Sequence, residues 1–217
     1  DFEKQAVLYI SSGLDDQQAP DYQQKFDSEL KAILSVTQGR TLVLFTSYSQ
    51  LKKTAEALRN DLPHLAILGQ GEMPAYRLVE RFKEMTNAVL LGTASFWQGI
   101  DIPGDALQCV VIAKLPFAVP DDPIIEARME RLKNPFLEYQ VPQATLLFRQ
   151  GFGRLIRTRS DRGAVAVLDS RIKTKNYGKW FLRSLPKCAI TDDREEFKKL
   201  FERLRAQKDS EMRNPEG

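Results

Sequence analysis

The sequence predicts an α/β fold, a doubly wound and mainly parallel sheet with helices on both faces, and three observations carry that expectation. Apolar runs at 41–46, 88–91, 108–113 and 164–168 show no in-out alternation, as strands covered on both sides should not. Between them, apolar residues recur at helical spacing, and Gly, Pro and Asp punctuate the joins. Strands that alternate with helices need right-handed crossovers, which leave neighbouring strands parallel.

In chain order, residues 5–10 read as a β-rich strand, followed by a breaker region at 13–20. Residues 22–36 carry Phe26, Leu30, Ile33 and Leu34 at helical spacing until Gly39 stops the pattern. The strand at 41–46 ends in Ser47, Tyr48 and Ser49, and a helix at 50–60 turns Leu51, Ala55 and Leu58 inward. A weaker strand at 65–68 leads to Pro74, which introduces a helix with Leu78, Phe82 and Met85 on one face. After the strand at 88–91 comes a glycine-bounded loop at 92–104, then a strand at 108–113 and a proline-rich loop at 115–120. Helices are expected at 123–133 and 143–158, the last strand at 164–168, and helical stretches at 176–184 and 193–207. Residues 1–190 form the domain, and 191–217 a C-terminal helix whose polar tail frays from 209 onward.

A chain of 217 residues can bury one generous core. It has no run of eighteen apolar residues and no charged-then-apolar leader, so nothing points to export or membrane insertion. The first residue is Asp1 rather than Met, which leads us to expect a longer parent protein. Cys109 and Cys188 stand far apart with no Cys/His cluster around them, the usage of a reduced, cytoplasmic protein without its own zinc or iron–sulfur site. His64 follows Pro63 in a connecting region and reads as a surface turn residue.

Charge is unevenly placed. Residues 149–187 hold eleven Lys and Arg against two Asp, a local +9 in a chain of net +3. That asymmetry is the footprint of a polyanion binder. At its centre, Gln150, Arg154 and Arg157 fall at i, i+4 and i+7 on a helix, opposite Phe148, Phe152 and Leu155. Gly151 and Gly153 each cost about 1 kcal/mol inside a helix, which suggests that another backbone or a ligand comes close. Two guanidinium forks beside a glutamine suit a polyphosphate; a solvated basic face is the alternative. In the 92–104 loop, Trp97 plugs the core or meets a ligand. Asp101, two residues after Gly99, accepts from a ribose or pairs with Arg154 or Arg157.

Residues 41–48, 92–104 and 150–163 resemble motifs IV, V and VI of a superfamily-two helicase, in the second RecA-like half of the DinG/XPD family. FWxGIDIPG at 96–104 and QxxGRxIRxxxDxG at 150–163 stand in this order about fifty residues apart, a specific pairing. Motif VI matches at Gln150, Gly153, Arg154, Ile156, Arg157, Asp161 and Gly163; motif V departs once, with Gln98 where the family has glutamate.

The resemblance implies a RecA-like helicase C-terminal domain, the motor half of an ATP-dependent DNA helicase moving 5′ to 3′. It implies that Arg154 and Arg157 reach the phosphates of ATP held on the first RecA-like half, with Arg157 as arginine finger. Gln150, Gly153, Gly99 and Asp101 belong to the same ATP site. Thr46, Ser47, Thr93 and Ser95 would grip phosphates of single-stranded DNA; Tyr48 and Phe96 would stack on bases or serve as packing. ATP and Mg²⁺ would be held mainly by the first half, where the family also carries its iron–sulfur cluster. The chain has no GxxxxGK[ST] and no DEAH-like box, so by itself it is expected to be inactive. Two rivals remain: a nucleic-acid clamp attached to a DinG-like nuclease that no longer unwinds, and an unrelated mononucleotide-binding domain.

Overall fold

The computed structural model describes residues 2–14, 17–93, 96, 102, 106–118, 132–158 and 160–213. Among them seven strands form one all-parallel sheet: β1 (Ala6–Ile10), β2 (Thr41–Leu44), β3 (Ala66–Gly69), β4 (Ala88–Gly92), β5 (Cys109–Ile112), β6 (Gly163–Val167) and β7 (Ala189–Thr191). Their order across the sheet is β3-β4-β2-β5-β6-β1-β7, and the pairing aligns Thr41 with Val89 and Cys109, Cys109 with Ala164, and Ala6 with Gly163.

The helices are α1 (Phe2–Gln5), α2 (Tyr22–Thr37), α3 (Tyr48–Asp61), α4 (Ala75–Glu84), α5 (Val141–Gly153), α6 (Arg171–Thr174), α7 (Gly178–Ser184) and α8 (Arg194–Arg213), with a π-helical turn Phe136–Gln140 leading into α5. Because side chains alternate along a strand, each strand feeds two cores. Leu8, Ile10, Leu42, Leu44, Val110, Ile112 and Val165 pack under α4, α5 and α7 with Phe82, Phe148 and Phe181. Val7, Tyr9, Val43, Phe45, Val111 and Ala166 pack under α2, α3 and α8 with Phe26, Leu58, Phe197 and Phe201. Burying one such phenylalanine contributes roughly 1.5–3 kcal/mol. The C-terminal helix thus forms part of the second layer, and β7, which the sequence reading did not anticipate, extends the sheet beside β1.

Local chemistry sets the ends of the elements. Ser47 caps α3 with its hydroxyl, which accepts from Gln50 N at 3.4 Å, so the helix starts at Tyr48 rather than at the expected position 50. The end of α2 passes through left-handed backbone at Gln38, Gly39 and Arg40. A Cβ on Gly39 would lie 2.5 Å from Cα of Asn87, so this crossing admits only glycine. A buried carboxylate crosslinks the layers: Glu29 on α2 accepts from the Tyr9 hydroxyl and pairs with Arg194 of α8. The helix expected at 123–133 lies almost wholly outside the described residues.

Candidate nucleotide and strand interface

The arginine segment sits at the amino edge of the sheet, between the end of α5 and the start of β6. Val141, Ala144, Phe148 and Phe152 bury one side of α5, while Leu146, Arg149, Gln150 and Gly153 are exposed. The helix stops at Gly153, five residues short of the expected end. Arg154 N bonds Gly151 O at 3.2 Å and Leu155 N bonds Phe152 O at 3.1 Å, a tightened last turn. The expected single face of Gln150, Arg154 and Arg157 is therefore replaced. Gln150 stands on the helix, Arg154 is half-buried just past it, and Arg157 is exposed in the following loop.

A carboxylate supplies the physical reason. One oxygen of Asp161 accepts from the backbone amides of Arg157 and Thr158, each at 2.8 Å, which offers the chain an alternative to helical bonding. Leu155 and Ile156 are buried beneath the loop, and two weak helix formers, Gly151 and Gly153, precede it. Gln5, just before β1, staples the segment by donating to the carbonyls of Thr158 and Asp161, both at 2.9 Å. Gly163 closes it: a Cβ there would lie 2.4 Å from Gln108 O. A Cβ on Gly153 would meet nothing within 4 Å. Gly153 thus faces open space beside the exposed Gln150 and Arg149.

The second group of expected residues lies at the opposite, carboxyl edge. A five-residue strand rises roughly 3.3 Å per residue, which separates the two edges by about 16 Å. Thr46 is exposed after β2, and Ser47 serves as the cap of α3. Tyr48 is 42% exposed, with Lys52 Nζ 5.0 Å from its ring centroid, and its hydroxyl donates to Gln70 O at 3.0 Å. Thr93 follows β4 and is tied to the side chain of Gln70 through both its N–H and its hydroxyl.

Of the two roles expected for Phe96, stacking and packing, the structure shows packing. The residue is 1% exposed and its ring lies on Gly92, where a Cβ would sit 2.5 Å from Cγ, so it packs the core and offers no face to a base. Ser95, Gly99 and Asp101, together with Trp97 and Gln98, lie outside the described residues.

A third cluster closes the carboxyl edge between β5 and β6. Fully buried Asp169 accepts from Leu115 N at 2.8 Å and binds Arg171 in a fork, with Nε at 2.9 Å and an η nitrogen at 2.7 Å. This pairing holds the Arg171 guanidinium above its usual range. The guanidinium also lies 5.6 Å from the Phe117 centroid. Burial, with Arg171 beside it, lowers the Lys114 ammonium. Arg171, counted above in the basic stretch, is thereby committed to the domain's own carboxylate.

Burial pushes the Cys109 thiol well above its usual range and that of Cys188 up to about 11. Both stay protonated at neutral pH and are poor ligands and nucleophiles. Among the described residues no group of three His, Cys, Asp or Glu could hold a metal ion, and no helix is long and apolar enough to cross a membrane.

Sequence reasoning missed Gln5 and Gln70. Gln5 has partners 153 and 156 positions away, beyond any local signal. Gln70, between Gly69 and Gly71, carried only a turn signature.

Comparison with known proteins agrees with this fold. The Helicase C-terminal domain family matches residues 30–188. The chain is 46% identical over 168 residues to the ATP-dependent DNA helicase YoaA of Haemophilus influenzae, covering 76% of this chain and 26% of that protein. It is 40% identical over 197 residues to YoaA of Escherichia coli, covering 89% and 31%. Against the 3'-5' exonuclease DinG of Bacillus subtilis it is 39% identical over 181 residues, covering 80% and 19%. The chain thus spans less than a third of the length of each of these relatives. In fold it resembles an XPD helicase structure, with a TM-score of 0.63 at 18% identity over 86% of this chain and 36% of that one. It also resembles the C-terminal domain of the DEAD-box protein Dbp5, with a TM-score of 0.59 at 18% identity over 94% and 99%. With the motif VI loop at one edge of a RecA-like sheet and a family match over most of its length, this chain belongs to the helicase C-terminal domain family, of the DinG and YoaA type.

Proposed function

We propose that this chain is the C-terminal motor half of an ATP-dependent DNA helicase that moves 5′ to 3′ on single-stranded DNA. The observation that carries the reading is the loop 154–158, an exposed arginine on a backbone fixed by the buried Asp161 carboxylate. Arg154 and Arg157 stabilise charge on the transferred phosphoryl group of ATP, with Arg157 as the arginine finger. Gln150, Gly153, Gly99 and Asp101 complete that site. The phosphate cradle and Mg²⁺ belong to a first RecA-like half, which also holds any iron–sulfur cluster. The sequence here has no GxxxxGK[ST] and the described residues offer no acidic cluster for the metal. Gly153 supports the division, since the space at its Cα is open on this chain and a partner surface can approach there.

Thr46, Ser47, Tyr48 and Thr93 at the carboxyl edge, and Ser95 by its place in motif V, contact the strand's phosphates and bases without reading sequence. The chain by itself hydrolyses ATP at background rate. In the intact protein, Arg157→Ala lowers kcat for ATP by about 10³-fold or more while binding of an oligo(dT) strand stays within about twofold. Unchanged turnover in that variant sinks the motor reading.

One finding favours a second reading, the name of the Bacillus relative as a 3'-5' exonuclease. In that reading the domain of this chain clamps nucleic acid for an attached nuclease, and Arg157→Ala leaves the activity of the intact protein unchanged.

A further inference from the structure

Both hydrogens that Thr93 can donate go to one atom. Its backbone N–H lies 2.6 Å and its hydroxyl 2.9 Å from Oε1 of Gln70, the first residue after β3. An amide and a hydroxyl converging on one oxygen is also how a loop holds a phosphate oxygen, with a neutral acceptor here in place of an anion. Phosphate oxygens accept and cannot donate, so a strand bound through Thr93 must take these same two hydrogens.

Gln70 is held in place from several sides. Its N–H donates to Leu91 O at 2.9 Å and its carbonyl accepts from the Tyr48 hydroxyl at 3.0 Å. The turn that carries it is closed by Glu72, which accepts from Gly69 N at 3.1 Å and binds Arg59. Gly71, at φ 96°, lies against the Tyr48 hydroxyl, which a Cβ would meet at 2.0 Å. The turn thus links a motif IV residue, Tyr48, to a motif V residue, Thr93, through a glutamine that belongs to neither motif.

We propose that Gln70 is an internal stand-in for the strand. Its carboxamide oxygen holds the Thr93 donors that a nucleic-acid phosphate takes over, so strand affinity at this edge is set by an exchange of acceptors. The proposal rests on the reading of the carboxyl edge as the strand-binding surface. A phosphate wins the exchange because hydrogen bonds to an ionised acceptor are roughly twice as strong as neutral ones. Giving up the two bonds to Gln70 nevertheless weakens strand binding.

The test titrates fluorescein-labelled oligo(dT) with the chain by anisotropy at low and at physiological salt. Gln70→Ala is expected to tighten binding about 5- to 10-fold, the equivalent of one to two modest hydrogen bonds no longer surrendered. Gln70→Glu, which keeps the shape, is expected to weaken it at least about 10-fold, since its carboxylate holds the donors harder and repels phosphate. In a Thr93→Val background the gain from Gln70→Ala should shrink to that of the surviving N–H. Weaker or unchanged binding in Gln70→Ala overturns the proposal and makes Gln70 a support for Thr93. An undiminished gain in the Thr93→Val background overturns it as well. Thermal melts establish that each variant is folded; should Gln70→Ala not fold, Gln70→Glu decides, and unchanged or tighter binding there is equally fatal. If the unsubstituted chain shows no salt-sensitive binding of oligo(dT), the strand-binding reading itself fails, and this proposal with it.

Discussion

Asp161→Ala tests whether a buried carboxylate holds the arginine loop. The substitution deletes the oxygen that accepts from Arg157 N and Thr158 N, both at 2.8 Å, in a side chain that belongs to a residue 5% exposed. Hydrogen bonds to an ionised group contribute about 1.5–3 kcal/mol each. Arg157 and Thr158 are exposed, so water partly satisfies the orphaned amides, and the discounted loss is about 2–4 kcal/mol. For a domain of this size, each kcal/mol lowers Tm by about 2–4 °C, so a fall of roughly 10 °C is expected. Asp161→Asn keeps an oxygen able to accept but loses the charge, and should cost about half as much.

Urea unfolding of the chain, followed by tryptophan fluorescence, measures both losses, with an unchanged m-value showing that the compactness of each state is preserved. In the intact protein the same two variants should lose ATP turnover in the same order. A guanidinium displaced by about 1 Å from the reacting phosphate costs on the order of 100-fold in rate. An Asp161→Ala chain melting within about 2 °C of the parent would refute the reasoning, since the loop would then be held by Gln5 and the buried Leu155 and Ile156 alone.

The two motif VI glycines should respond oppositely. Gly163→Ala drives a Cβ to 2.4 Å from a backbone carbonyl that also receives Ala164 N in the β5–β6 ladder, and is expected to cost about 3 kcal/mol in urea unfolding. Gly153→Ala meets open space, so stability should hold or rise by up to about 1 kcal/mol, while ATP turnover of the intact protein should fall if the first half approaches there. Tyr9→Phe carries a pH signature. Burial, with Glu29 alongside, raises the Tyr9 hydroxyl above the usual tyrosine range, so its contribution is fully present below the unfolded value near pH 10 and is lost as pH rises above it. The variant should lose about 1–2 kcal/mol at pH 7 and decline less steeply in alkali, as urea midpoints at neutral and at alkaline pH would show.

What the sequence by itself determined was whatever a short window encodes. Apolar runs without alternation marked the buried parallel strands, period 3.6 marked most of the helices, and the spacing of motifs V and VI marked the family, because propensity and pattern are local properties of the chain. The helix-interior cost of Gly151 and Gly153 pointed to a close approach there, but a Cβ on Gly153 meets nothing of this chain within 4 Å; the tight contact is at Gly163, against Gln108, which no local signal marked. The end of the arginine helix was not legible, because the helical period runs on past Gly153 and only the folded Asp161 carboxylate diverts it.

Tertiary structure likewise turned Phe96 into core by laying its ring on Gly92, and spent Arg171 on buried Asp169. It set the arginine loop and the hydroxyls of Thr46, Ser47 and Thr93 on opposite edges of one sheet. Each of these outcomes depends on groups far apart in sequence meeting across the sheet, as Gln5 meets the Thr158 carbonyl 153 positions away. Such meetings follow from strand order and register, which arise only when the two hydrophobic layers close over the strands.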